Sequence, residues 1–112
     1  MDLFLDDRVN GDWTVIVVKG ELDLATAPEL RDRINAVDDG GAARLAVDLT
    51  GVTFMDSSSL GVLVAALKHA RERGGDLALV GVSGSPARVL SLTGLDQVFR
   101  IVPGIDALAS PG

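Results

Sequence analysis

Apolar and polar positions along the chain change period several times, and each change marks an element. Residues 3–9 and 13–19 are rich in apolar and β-branched types, and Asn10-Gly11 lies between them. Asn-Gly supplies the positive φ angles of a two-residue turn, so the two runs are expected to pair as an antiparallel hairpin. After Gly20-Glu21-Leu22-Asp23 the period becomes helical. Thr26-Ala27-Pro28-Glu29 has the spacing of a capping box with proline in the first turn, Leu30, Ile34 and Val37 recur on one face, and Gly40-Gly41 ends the run. Residues 44–49 alternate as a strand bounded by a turn. From 57 to 73 the pattern is helical again, with Leu60, Leu63, Val64 and Leu67 on one side and Gly74-Gly75 closing it. Residues 77–82 read as a buried strand. Ser85-Pro86 opens a third helix carrying Val89, Leu90 and Leu92, with Gly94 placed as a left-handed cap. Residues 99–102 form a last strand and 105–109 a terminal helix.

The resulting order, β-β-α-β-α-β-α-β-(α), is that of an α/β protein. Alternating strands and helices call for parallel pairs joined by right-handed crossovers, and the opening hairpin makes the sheet mixed. Three helices leave one face of the sheet less completely covered, so the expected fold is a small α/β sandwich with helices packed mainly on one face. The 112 residues are 47% hydrophobic, enough for one core and too few for two, and contain no repeat or linker. A single domain over 1–112 is expected.

Charge and composition narrow the function. Sixteen acidic residues against ten Lys and Arg give a net charge of -6, which is repelled by nucleic-acid phosphates and anionic lipid. Neither nucleic acid nor a membrane is therefore an expected partner. The longest apolar stretch, around Leu60 and Leu67, is too short to span a bilayer and is broken by Gly61. The opening MDLFLDD is acidic where a signal peptide would be basic, so a cytoplasmic location is expected. Cysteine is absent and His69 is the only histidine, which removes thiol chemistry and most metal and acid–base templates.

The stretch with the most chemistry is TFMDSSSLGV at 53–62, an acid and three serines where strand gives way to helix. Capping, a nucleophile and a modification site are the three readings. A nucleophilic serine needs a base within hydrogen-bond reach. His69 lies twelve residues beyond Ser57 on the same expected helix, roughly 18 Å along its axis, and Lys68 is nearly as far. No G-x-S-x-G elbow or phosphate-binding G-x-x-x-x-G-K-[ST] motif is present. Asp23, Asp48 and Asp56 could converge on a metal, but acids at strand ends and helix starts are usually caps. One cap needs one side chain, so the other hydroxyls need a different account. At about 100° per residue Ser59 turns toward the apolar face, whereas Ser57 shares an outer strip with Gly61, Ala65 and Lys68. A hydroxyl at a helix start on an open strip of small residues fits a substrate better than a catalyst.

Several further candidates have plainer readings. Trp13 and the three Phe residues are expected in the core. The basic run from Lys68 through Arg73 suits the negative end of its helix dipole. The pair Asp38-Asp39 is expected to be a solvated turn.

The stretch from Thr53 to Val62 resembles the phosphorylation motif of the anti-sigma factor antagonists, the stand-alone STAS domains. Gly20-Glu21-Leu22-Asp23 followed by Thr26-Ala27, Gly74-Gly75-Asp76-Leu77, and Leu92-Thr93-Gly94-Leu95 with Phe99 are similar to the family in order and spacing, so the resemblance covers nearly the whole chain. It implies the α/β fold already derived and a partner-switching protein. The unphosphorylated form would bind an anti-sigma factor that is also a serine kinase, freeing a sigma factor. That kinase would use ATP to phosphorylate Ser57, which follows the motif aspartate, with Ser58 as second candidate, and a phosphatase would reverse the change. The resemblance puts Asp23, Asp56, Ser57, Ser58, Gly61, Ala65 and Lys68 at the partner contact, and implies no cofactor and no catalytic residue. The family usually has Gly where this chain has Ser59, a small-residue exchange on the inward side. A STAS scaffold or sensor module, and a small nucleotide-binding domain, are the alternatives.

Overall fold

A computed structural model of the chain describes residues 3–41 and 44–108. Its central strands come from the Val- and Leu-rich runs. β1 (Phe4–Asn10) pairs antiparallel with β2 (Trp13–Leu22), which is followed by α1 (Ala27–Asp39), β3 (Arg44–Met55), α2 (Ser57–Glu72), β4 (Asp76–Val80), α3 (Gly84–Thr93) and β5 (Arg100–Val102). The sheet order is β1-β2-β3-β4-β5, parallel from β2 onward. Strands β2 to β5 are added in chain order with no reversal. Right-handed crossovers then place α1, α2 and α3 on the same face, which is why three helices suffice to cover it.

That face holds the larger core, in which Ile16, Val18, Val47 and Leu79 of the sheet meet Leu30, Ile34, Leu63, Leu67 and Leu90 of the helices. Burying each such side chain contributes roughly 1.5–3 kcal/mol. The opposite face presents Trp13, Val15, Val17, Ala46, Ala78 and Val80, and a short 3-10 helix, Ile105–Leu108, lies over it through Ile105 and Leu108. The expected terminal helix is thus a single tight turn, and its last residue, Ala109, lies outside the described residues.

Three local expectations are corrected. Asn10 pairs with Trp13, so the hairpin loop is Gly11-Asp12, and of the described non-glycine residues none has positive φ. Gly11, at φ 62°, supplies the turn alone, as a type II′ turn requires at its first central position. Second, β3 does not stop at Leu49 but continues to Met55. It carries two extra residues relative to β2: Val17 and Lys19 face Asp48 and Gly51, and Gly20 and Glu21 face Val52 and Phe54. Each step is a β-bulge, and each shifts the inside–outside alternation. Leu49, Val52 and Met55, three apart, therefore all reach the helix-side core. Third, Trp13 and Phe99 are buried as expected, but Phe4 and Phe54 are exposed, Phe54 because the second bulge turns it outward. β4 ends where Gly81 takes φ 67°, and a β-carbon there would overlap the Thr50 hydroxyl.

Candidate functional site

Parallel strands with helices on one face bring all the strand-to-helix turns to one end of the sheet, at the C-termini of its strands. Leu22 pairs with Met55, and the Asp56 N–H donates to the Leu22 carbonyl at 3.1 Å. The next residue along each strand end, Asp23 and Asp56, therefore starts its turn beside the other.

The turn into α1 is closed on itself. One Asp23 carboxylate oxygen accepts the N–H groups of Ala25 at 2.9 Å and Thr26 at 3.0 Å. The Thr26 hydroxyl accepts the Asp23 N–H at 3.0 Å and donates to the Glu21 carbonyl at 2.7 Å, and Thr26 is buried. The Thr26 N–H above all, then the Thr26 hydroxyl and the Ala25 N–H, hold the Asp23 carboxyl below the usual range. The capping box expected from Thr26 and Glu29 does not form. Thr26 makes no side-chain bond to the first turn of α1, because its hydroxyl is spent on the loop before it.

The turn into α2 sorts its hydroxyls differently. Asp56 is the N-cap, in extended geometry, and its carboxylate accepts the Ser58 N–H at 2.9 Å and the Ser58 hydroxyl as well. Ser59 is fully buried and donates to the Asp56 carbonyl at 2.9 Å. Ser57 is exposed, and its hydroxyl makes no hydrogen bond among the described residues. The acid is the cap, one serine faces inward, one is tied to the cap, and one is free.

Along α2, Gly61, Ala65 and Lys68 are exposed on the Ser57 side as the helical spacing predicts. A β-carbon at Gly61 would meet nothing within 4 Å, so the strip is open. Between α1 and α2 a groove of about 390 Å³ runs beside it, with Gly61 and Ala65 on one wall and Ile34 and Asn35 on the other. The structure brings Asp23, Asp56, Ser57 and Ser58 together at the C-terminal end of β2 and β3. Lys68 is eleven residues further along the helix, roughly 16 Å away along its axis, at the far end of the strip.

The remaining candidates fall elsewhere. His69 is on α2 with Ser57, as expected, and its Nε2 lies 2.8 Å from the Asp38 carboxylate. Asp38 is not a solvated turn residue. It belongs to α1, its side chain is 13% exposed, and it also takes the Arg73 guanidinium. Arg71 reaches Asp76 and the Val98 carbonyl. The basic end of α2 thus ties that helix to its neighbours, a role its dipole alone does not describe. Asp48 is engaged by the Thr50 N–H and hydroxyl, eight residues and roughly 25 Å of strand before Asp56. The supposed carboxylate trio does not meet, because β3 runs on past it. No group of three or more metal-ligating side chains occurs among the described residues.

Two exposed apolar residues beside the acids were missed by sequence reasoning: Leu24, 78% exposed next to Asp23, and Phe54, 45% exposed two residues before Asp56. Gly51 inside a strand pattern is the signal that could have suggested a bulge and an outward Phe54. Nothing in the sequence singles out Leu24.

The chain matches known proteins along most of its length. The family model of the STAS domain covers residues 5–108. An anti-sigma-B factor antagonist of Listeria monocytogenes is 38% identical over 86 residues, 77% of this chain and 75% of that protein. The anti-sigma-B factor antagonist of Staphylococcus aureus is 30% identical over 106 residues, 95% of this chain and 98% of that one. The crystal structure of an anti-sigma factor antagonist from Mycobacterium paratuberculosis superimposes with a TM-score of 0.86 at 30% identity, covering 95% and 90% of the two chains.

Proposed function

This chain belongs to the STAS domain family, and from that premise we propose that it is an anti-sigma factor antagonist controlled by phosphorylation at Ser57. Unphosphorylated, it binds an anti-sigma factor, which then releases its sigma factor. The anti-sigma factor is also the kinase. The Ser57 oxygen attacks the γ-phosphorus of ATP, a new O–P bond forms as the bond to ADP breaks, and the serine proton leaves to a base on the kinase. A phosphatase restores the hydroxyl. The protein itself acts by binding, without a cofactor, in the cytoplasm, and no described helix is long and apolar enough to cross a membrane.

One observation carries the reading: of three consecutive serines beside a capping aspartate, only Ser57 offers a free, exposed hydroxyl. Ser58 and Ser59 are already used by the fold, which supports Ser57 over Ser58 as the acceptor. The partner would lie over Ser57, Gly61 and Ala65, with Asp23, Asp56, Leu24 and Phe54 around the rim and Lys68 at the end of the strip.

A phosphate there adds nearly two negative charges beside the Asp56 carboxylate. At ~6 Å and an effective dielectric of ~20, a like-charge pair costs on the order of 3 kcal/mol before screening. The N-terminus of α2 returns ~1 kcal/mol, so the free protein holds the phosphate without unfolding. Under a partner, water is excluded and an unpaired phosphate is penalised much more heavily. A loss of ~3 kcal/mol in binding corresponds to about a hundredfold weaker complex. The switch is one of local charge and bulk, with α2 intact in both states.

Incubation with the cognate anti-sigma kinase and ATP, followed by mapping of the labelled residue, tests this. Label on Ser57, abolished in Ser57→Ala, is the expected result. Label on Ser83 or Ser91 instead would overturn the assignment.

A further inference from the structure

β3 extends well beyond its neighbour. Its ladder with β4 runs from the Arg44–Asp76 pair to the Asp48–Val80 pair and stops there, whereas β3 itself continues to Met55. On the β2 side this overhang stays paired, through Leu22 with Met55 and through the Asp56 N–H on the Leu22 carbonyl. On the other side no strand among the described residues receives the backbone of Met55, the residue before the Asp56 cap. Backbone groups at such a place need a partner.

The partner is a side chain from α3. The Ser85 hydroxyl accepts the Met55 N–H at 3.1 Å and lies 3.4 Å from the Met55 carbonyl, to which it donates. One hydroxyl thus stands in for the neighbouring strand that the overhang of β3 lacks, and takes both polar groups of one residue. Ser85 is held in turn by its place in the first turn of α3, beside the buried Pro86. The turn that presents Ser57 is therefore clamped from two sides, by β2 through Leu22 and by α3 through Ser85.

We propose that Ser85 is a positioning residue for the Ser57 acceptor: its hydroxyl, 3.1 Å from the Met55 nitrogen, fixes the end of β3 and with it the angle at which α2 starts and the Ser57 oxygen points. Ser85 lies on α3, outside the TFMDSSSLGV stretch, and acts through Met55 and Asp56. This rests on the reading of Ser57 as a phosphorylation site. A misdirected acceptor keeps its docking surface and loses its line of attack, so the effect falls on turnover and not on the apparent affinity of the kinase for its substrate.

The test compares wild type, Ser85→Ala and Ser85→Thr, the last of which keeps the hydroxyl. Backbone amide exchange at Met55 should quicken by about tenfold in Ser85→Ala, the range of one lost hydrogen bond, with the Leu63 amide unchanged as an internal control for global stability. In steady-state labelling by the cognate kinase, kcat should fall several-fold with KM unchanged, and Ser85→Thr should restore both readouts. Unchanged exchange at Met55 in Ser85→Ala, or unchanged kcat, overturns the proposal, and an effect confined to KM overturns it by placing Ser85 in the partner contact instead. If wild type is never labelled at Ser57, the functional reading fails by itself; the exchange data still decide whether Ser85 holds the turn.

Discussion

At the start of α1 the Asp23 carboxylate takes the N–H groups of Ala25 and Thr26, and at the start of α2 the Asp56 carboxylate takes that of Ser58. The two turns sit side by side on adjacent strands and use the same local device, an acid folding back on the backbone ahead of it. They part over their hydroxyls. Thr26 is buried, and its oxygen both donates and accepts. Around Asp56 the fold uses two of three serines and leaves the third, Ser57, exposed at the head of an open strip. A carboxylate beside a hydroxyl is thus no sign of function by itself. What separates the two turns is whether an oxygen is left unused, and the proposed switch rests on that difference.

Substitutions can break that contrast in order of size. Thr26→Val should be the most damaging, because it leaves the Asp23 N–H and the Glu21 carbonyl without the buried hydroxyl that joins them in a part-buried turn. Urea unfolding should show a loss of about 2–3 kcal/mol. Asp56→Ala removes a cap whose helix start is partly exposed, and the same measurement should give a loss of about 1 kcal/mol. The acid side of the stability profile probes the Asp23 turn further. Hydrogen bonds depress the Asp23 carboxyl in the folded state, so its contribution is fully present above the ordinary carboxylate range and is lost as pH falls through the depressed value. Asp23→Asn should therefore be less stable than wild type at neutral pH, with the gap narrowing on acidification. Ser57→Ala should be nearly silent, within about 0.5 kcal/mol of wild type. A substantial stability loss in Ser57→Ala would mean that the hydroxyl has a structural partner and would erase the distinction between the turns.

Much of this was legible in the chain because its periods are clear. The hairpin, three amphipathic helices and parallel strands follow from where the apolar residues recur, and one-sided helix packing follows from their order. The helical wheel also separated inward Ser59 from outward Ser57. What misled the sequence reading was non-local. The length of β3 was hidden by Thr50-Gly51, which resembles a turn, and only pairing with β2 reveals two bulges instead. The same bulges turn Phe54 outward, against the ordinary expectation for a phenylalanine near a strand end. Thr26 and Glu29 had the spacing of a capping box, but a carbonyl five residues back competes for the threonine hydroxyl and wins. Asp38 looked like a turn acid because its partners, the His69 ring and the Arg73 guanidinium, come from the far end of α2, more than thirty residues on. Ser85 drew notice only as the start of α3, since its link to Met55 exists only in three dimensions.

The central claim is that a phosphate on Ser57, the free hydroxyl among the three serines of the α2 turn, blocks a partner while the fold stays as it is. The most direct measurement is the affinity of the purified cognate anti-sigma factor for this protein before and after stoichiometric phosphorylation at Ser57. The account predicts a complex weaker by about a hundredfold after modification. Equal affinity in the two states would contradict it.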